Sequence, residues 1–493
     1  LKTAWIVLAL FLPPVAGAQE SGGELPFPLT PEEMFDESTL GEIILENRLI
    51  PSVTHPGKKL RILRVAYFSH TWKDGPWYGR VSIAAPETIA PGMEGVMAVC
   101  PTGSTNIEPG FELERKFFEF TALEYGIPVM GIPSVGEHYG LTEIHQLSDH
   151  LNMQFVLTGD PSWLAAYPCA AVRARGVTLL SKLTGNPITS VVHMGSSISA
   201  GHGFVWARCD SRVKALVATG SIGCFRDLYP QDGTLVSGRP VVDALAAMGE
   251  PMKKIFEYHR DPAVFGGELD CDVLLVTGVR DLFVPPLVVP RLLNALKGEN
   301  RVVQVPGYGH GCGTNRHADA FRMSIDRVLG GNEQPEIVDV QVDRSGEKFT
   351  CSAVVAGETG ETEVRLWYLP VRDPLFFQSP NFPDTPDPDY TSAEWESIPL
   401  WRVGGKWTGG ISIDPALPHV AWFVDFRSGS PEDPKYASTV MRLLSPAKPV
   451  ANSPCSAASI WVQRSLGTYI LVIVMVLGVV LVALLNRPVS ERR

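Results

Sequence analysis

Six short segments of this chain are almost uniformly apolar: EGVMAVC, IPVMGIP, ITSVVHMG, VKALVATG, DVLLVTG and NRVVQVPG, and each stops at a proline or glycine. A strand with one solvated face alternates apolar and polar residues, whereas a strand without that alternation is covered on both sides. The stretches between them carry helical spacing, as in ELERKFFEFTALEYG, SWLAAYPCAAVRARGVTLLSKLTG, RLLNALKG and RHADAFRMSIDRVLGG, the second closed by Gly185. Strands of this kind alternating with helices predict an α/β fold, a mostly parallel sheet with helices on both faces. In such sheets ligands bind beyond the carboxyl ends of the strands, so functional residues are expected where these segments finish.

The rest of the chain divides around this unit. At its start, RILRVAYFSHTW and WYGRVSIAAP read as a hairpin with period-two apolar positions. Residues 19–60 form an N-terminal extension with a short helical signal in PEEMFDESTLGEIILENRL. The α/β unit is assigned to residues 61–332, with residues 221–270 placed where a lid or substrate-binding insertion would sit. From residue 335 to 446 short alternating strands, IVDVQVDRSG, FTCSAVVAG, EVRLWYLPV, GGISI and HVAWFVDF, predict a small β-sandwich. Its loop SPNFPDTPDPDY lacks the Gly turn and closing Glu of an EF-hand and reads as a solvated Pro-rich loop.

The two ends carry targeting signals. Residues 1–18 place Lys2 before an apolar run that ends in Ala16-Gly17-Ala18, the pattern of a cleaved signal peptide. Near the other end, LGTYILVIVMVLGVVLVALL is uncharged and long enough to cross ~30 Å of hydrocarbon. Residues 447–465 read as a tether, 466–486 as a transmembrane helix and 487–493 as a cytoplasmic tail, because Arg487, Arg492 and Arg493 follow the apolar run. A C-terminal sorting signal that is later removed has the same pattern. The expected location is therefore outside the cytoplasm, at the membrane, with the main body periplasmic or extracellular. The net charge of −11 offers no basic field for a nucleic-acid partner. Eight cysteines occur singly, without a CxxC pair, which excludes the usual structural zinc spacing. The absence of an N-x-S/T acceptor favours a bacterial surface protein.

The strand ITSVVHMG runs into GSSISAG, which holds Ser196, Ser197 and Ser199 between Gly195 and Gly201. A nucleophile presented on a sharp strand-to-helix turn needs small residues two before and two after it, and both Ser197 and Ser199 meet that rule. Ser197 is favoured because it follows the strand directly, with Gly195 at the point of sharpest bend. The next backbone N–H, that of Ile198, would then face a developing oxyanion at a helix N-terminus. A serine needs a base, and His310 in VPGYGHGCG stands at the end of the last strand, flanked by Gly307, Gly309 and Gly311. Between them, Asp281 in LLVTGVRDLFVPP follows a strand that ends at Gly278. A carboxylate there would orient the imidazole, although Asp in that position also caps helices. The chain order Ser, Asp, His is that of the α/β-hydrolase triad. The second oxyanion donor is expected after EGVMAVC, from Thr102 or Gly103, since Pro101 has no N–H. His193, His202 and Cys312 are read as packing or supporting residues rather than metal ligands.

On FVLTGDPSWLAAYPCAAVRA, GSSISAGHGFVWARCDSRVKAL, TGVRDLFVPP and VPGYGHG the chain resembles the PhoPQ-activated pathogenicity-related proteins, and the likeness continues into the C-terminal β-region. That resemblance implies an α/β-hydrolase with an appended sandwich and an elbow serine at Ser197. The chain departs from the family after that serine, where Lys-Arg-Gly-Trp is expected and Ile198, Ser199, Ala200 and Gly201 stand instead. The expectation is an exported serine hydrolase for an ester or peptide bond that needs no cofactor and no metal. The competing expectation is a silent hydrolase-fold surface protein that binds a partner.

Overall fold

The computed structural model describes residues 25–445, except 74, 103–106, 134–143, 221–222, 226–243, 245–247, 282–283, 285, 298–300, 311–314, 332–333 and 373–391. The expected signal peptide, tether, transmembrane helix and tail lie outside the described residues, as do the Pro-rich loop, Cys312 and residues 221–222, 226–243 and 245–247 of the expected lid segment 221–270, whose later part holds the helix Glu250–Arg260. Among the described residues no helix is long and apolar enough to cross a membrane.

The six apolar segments form the strands β4 (Val96–Thr102), β5 (Val129–Pro133), β6 (Ser190–Ser196), β7 (Val213–Thr219), β8 (Asp272–Gly278) and β9 (Arg301–Val305). They lie in the order β5-β4-β6-β7-β8-β9 and all pair in parallel. Their lack of alternation has the expected cause, because neighbouring residues of one strand serve two cores. Val99, Val191, Leu216 and Leu275 pack in one cluster with the helices Ala166–Thr184 and Ile198–Cys209. Ala98, Val192, Val217 and Val276 pack in the other, against Phe118 and Ala122 of the helix Ile107–Tyr125 and Phe321 and Ile325 of the helix Arg316–Val328.

The sheet as a whole is mixed, which corrects the expectation of a mostly parallel one. On one side β1 (Ile43–Pro51), β2 (Lys59–Trp72) and β3 (Gly75–Pro86) add antiparallel strands, β3 pairing with β5. On the other side β9 meets β17 (Pro434–Ser438) through Val302 and Ser438, and the order continues β17-β16-β12-β13, giving a 14-stranded sheet in which β18 (Arg442–Leu444) pairs with β16. Here β12 is Glu361–Val371, β13 Glu396–Pro399 and β16 His419–Gly429. A second sheet, β10-β11-β15-β14, covers it with β10 at Glu336–Ser345, β11 at Lys348–Ala356, β14 at Trp401–Val403 and β15 at Lys406–Ser412. Phe349, Cys351 and Ile411 from this sheet interdigitate with Val364, Leu366, Trp422 and Val424 from the other. The described residues of the 335–446 segment are thus two-layered, but one layer prolongs the main sheet rather than standing apart.

A buried polar joint fixes that continuation. Arg316 grips Asp425 through two bonds of 3.1 and 2.8 Å and donates to the Gln304 carbonyl at 2.7 Å. Ser438 donates to Asp425 at 2.8 Å and accepts from the Gln304 N–H at 3.0 Å.

The N-terminal extension also departs from its sequence pattern. The helical signal yields only the helix Pro31–Phe35, begun by a capping box in which Thr30 and Glu33 bond each other's backbone N–H. A 3₁₀ turn at Glu37–Thr39 and Gly41 at φ +49° end it, and the β-branched Ile43 and Ile44 enter β1 instead. Open backbone on the edge of β2 outweighs the weak helical periodicity.

Candidate active site

The strand–turn–helix at Ser197 is set by steric limits. β6 ends at Ser196, the helix starts at Ile198, and Ser197 between them holds φ 52° and ψ −123°, a strained conformation for a residue with a side chain. The chain reverses so tightly that a Cβ on Gly195 would lie 2.7 Å from the Cα and 2.8 Å from the N of Ala200. The Ser197 N–H donates to the Thr219 carbonyl of β7 at 2.8 Å, and its own carbonyl accepts from the Gly201 N–H at 3.1 Å. The side chain caps nothing in its helix and is left to point out of the turn.

The structure brings the three sequence-predicted side chains together. His310 Nε2 lies 2.7 Å from Ser197 Oγ, and His310 Nδ1 lies 3.1 and 3.0 Å from the two oxygens of Asp281. Asp281 is fully buried, while 23% of the His310 side chain reaches solvent, so the carboxylate closes the row and the serine end stays open. The Val284 N–H donates to Asp281 Oδ1 at 3.0 Å, which holds the carboxylate in its turn after β8.

Two glycines make room for the histidine loop. A Cβ on Gly278 would run into the carbonyls of Tyr308 and Gly309, so the end of β8 touches the loop backbone directly. Gly220, at φ +50° after β7, would put a Cβ 2.8 Å from the His310 carbonyl and 3.2 Å from its Nδ1. Gly220 follows β7, Gly278 ends β8 and Gly195 stands one residue before the end of β6, and this recurrence of glycine at strand ends was the readable signal for them.

Arg173 is the residue that sequence reasoning missed. It is fully buried under the elbow and donates to Ser199 Oγ and to the Cys169 carbonyl, both at 3.0 Å. Ser199 is thereby engaged inside the molecule, which separates it from Ser197 in role. Burial holds the Arg173 guanidinium below its ordinary pKa. Two arginines two apart in the otherwise apolar AAVRARGV were the available hint of buried cations.

Ile198 opens the helix, where a backbone N–H has no intrahelical acceptor. Thr102 ends β4, which pairs in parallel with β6 from Val96 opposite Ser190 to Val99 opposite His193. Gly103 lies outside the described residues. His193 is buried, contacts the Val99 carbonyl at 3.2 Å and stacks edge-on with Trp206, and burial with the nearby Arg173 charge pushes its pKa down to about 3. His202 is also buried, and no metal-binding group of His, Cys, Asp or Glu occurs among the described residues.

These features define a mixed α/β sheet that carries a strained serine, a histidine and a carboxylate at the carboxyl ends of its parallel strands. No family model matches the chain, and no curated protein sequence does. Solved structures similar to it include an acetyl xylan esterase from Paenibacillus sp. R4, 17% identical over 64% of this chain and 99% of that one, with a TM-score of 0.43. Acetyl xylan esterase 1 from Thermoanaerobacterium sp. JW/SL YS485 is 14% identical over 61% of this chain and 94% of that one, with a TM-score of 0.40. An S-formylglutathione hydrolase from Agrobacterium tumefaciens is 12% identical over 58% of this chain and 99% of that one, with a TM-score of 0.41. Likenesses at this level do not carry an activity across, so any function rests on the geometry of the site itself.

Proposed function

We propose that this protein is a serine hydrolase that cleaves an ester or peptide bond by acyl transfer through Ser197, with Asp281 and His310 completing the triad. The single observation that supports the reading best is the unbroken row from Ser197 Oγ through His310 to the buried Asp281, with steps of 2.7 and 3.0 Å. In this reading Ser197 Oγ attacks the substrate carbonyl carbon while its proton passes to His310 Nε2. Asp281 accepts the other imidazole N–H, fixes the tautomer and favours the cation as it forms. The oxyanion is held by the N–H of Ile198 and by a second donor from Thr102 or Gly103. Collapse breaks the scissile bond, His310 returns the proton to the leaving group, and water then repeats the sequence on the acyl-enzyme.

The reading keeps the hydrolase outside the cytoplasm on a C-terminal membrane helix, as the sequence of residues 1–18 and 466–486 leads one to expect, and relates it to the PhoPQ-activated pathogenicity-related proteins. The test is stopped-flow hydrolysis of an activated acetyl ester by the full chain. A burst of one leaving group per chain is expected, and it is lost in Ser197→Ala. Failure of wild-type protein to show any burst with activated esters or short peptides would leave the scaffold as a binder.

A further inference from the structure

Among the described residues β1 is an edge of the 14-stranded sheet: it pairs with β2 on one side and with no described strand on the other. Such an edge presents a row of backbone donors and acceptors, and proteins that stay single usually blunt it with charge, proline or a bulge. This strand has a bulge between Ile44 and Glu46 and a proline only at its end, Pro51. It nevertheless leaves Ile43, Ile44, Leu45 and Leu49 exposed by 63, 51, 58 and 40%. Four large apolar side chains open to water on nine residues of edge strand point to a covering partner.

The sequence of the strand, IILENRLIP, says which partner fits. Two copies laid antiparallel with Asn47 opposite Asn47 place Glu46 against Arg48 of the second copy, and Arg48 against Glu46. The same register sets Leu45 against Leu49 and Ile44 against Ile50. Directly opposed residues of an antiparallel pair share a face, so the two Glu46–Arg48 contacts, which lie clear of the bulge between Ile44 and Glu46, would form on either side of Asn47. Shifting the register by one residue sets Glu46 against Asn47 and loses the reciprocal charge pairing. Within one chain Glu46 already bonds Arg48 and lies 3.2 Å from Arg64, so its charge is held at the edge rather than swung into solvent.

We propose that β1 is a two-fold interface through which a second copy of this chain extends the sheet, centred on Asn47. The arrangement is isologous, with one strand meeting itself, so it closes at two copies and leaves no free β1 edge behind.

Charge variants of the full chain in mild detergent, weighed by light scattering after size exclusion, test it. Wild type is expected at twice the chain mass. Glu46→Arg sets Arg against Arg and Arg48→Glu sets Glu against Glu, and each variant alone is expected at the single-chain mass. Mixed, the two form opposite-charge pairs at both positions, and the double mass is expected to return. An independent readout keeps the native charges: Asn47→Cys brings two thiols to a Cα separation of about 4.5–5.5 Å, inside the disulfide range, and oxidation should give a reducible dimer. Lys59→Cys, one strand inward on β2, should not. Wild-type protein at single-chain mass, single variants that remain dimeric, a mixture that stays monomeric, or equal cross-linking at Asn47 and Lys59 would each overturn the proposal.

Discussion

Gly220→Ala separates the placement of His310 from general stability. The residue sits at φ +50°, so any side chain there costs about 1–2 kcal/mol of backbone strain. Its Cβ would also meet the His310 carbonyl at 2.8 Å, Nδ1 at 3.2 Å and Cε1 at 3.3 Å. Backbone atoms cannot rotate away as a flexible side chain can, so the loop must retreat and carry the imidazole with it. A displacement on the order of 1 Å in a reacting group costs roughly 100-fold in rate. Gly307 in the same loop is the control: it holds φ +71°, with nothing within 4 Å of an added Cβ. Gly307→Ala therefore incurs comparable strain without the collision. Measured as the second-order rate of labelling by a fluorophosphonate, Gly220→Ala is expected to fall about 100-fold and Gly307→Ala by no more than a few-fold. Both should lose a few degrees of thermal midpoint. Equal labelling losses in the two variants, or none in Gly220→Ala, would refute the idea that this glycine sets the histidine.

Four further outcomes follow from the contacts. Asp281→Asn should lower turnover by about 10⁴-fold, the loss seen when a Ser-His-Asp hydrolase is left with the wrong imidazole tautomer, while circular dichroism stays unchanged. Ser199→Ala should leave labelling intact but destabilise by about 1–3 kcal/mol in urea titration, because it removes one acceptor from the buried Arg173. Asp425→Asn should cost about 3 kcal/mol in the same assay by leaving the Arg316 charge without its carboxylate at the sheet junction. Burial, aided by the Arg208 charge, lowers the pKa of His259 to about 4 from its ordinary 6.5. The unfolded chain therefore binds more protons between those values, and stability should be full above pH ~6.5 and fall as pH drops toward ~4. His259→Asn should flatten that part of a denaturation-midpoint curve; an unchanged slope would contradict it.

The central strands and the site were legible in the sequence for one reason: burial on both faces erased the polar alternation. That lack of alternation marks a parallel strand and also tells where it ends. Ser197, Asp281 and His310 were found at such endings, beside Gly195, Gly278 and Gly309. What escaped was decided by partners far away in the chain. β1 carries apolar residues near helical spacing, and only the open edge of β2 draws it into a strand. The junction of Val302 with Ser438 joins residues more than 130 apart, and no local pattern announces it. Arg173 was hidden similarly, since its meaning comes from Ser199 on another helix. The residues after Ser197 now have a place: Ser199 and Ala200 are buried in the first turn of the helix Ile198–Cys209, where Ser199 accepts from Arg173 and the Ala200 backbone packs against Gly195.

The most direct test of the account is to label the full chain with a fluorophosphonate and locate the adduct by mass spectrometry. One phosphonyl group on Ser197, absent from Ser197→Ala and retained in Ser199→Ala, is the predicted result. An adduct on Ser196 or Ser199, or folded wild-type protein that takes up no label, would contradict it.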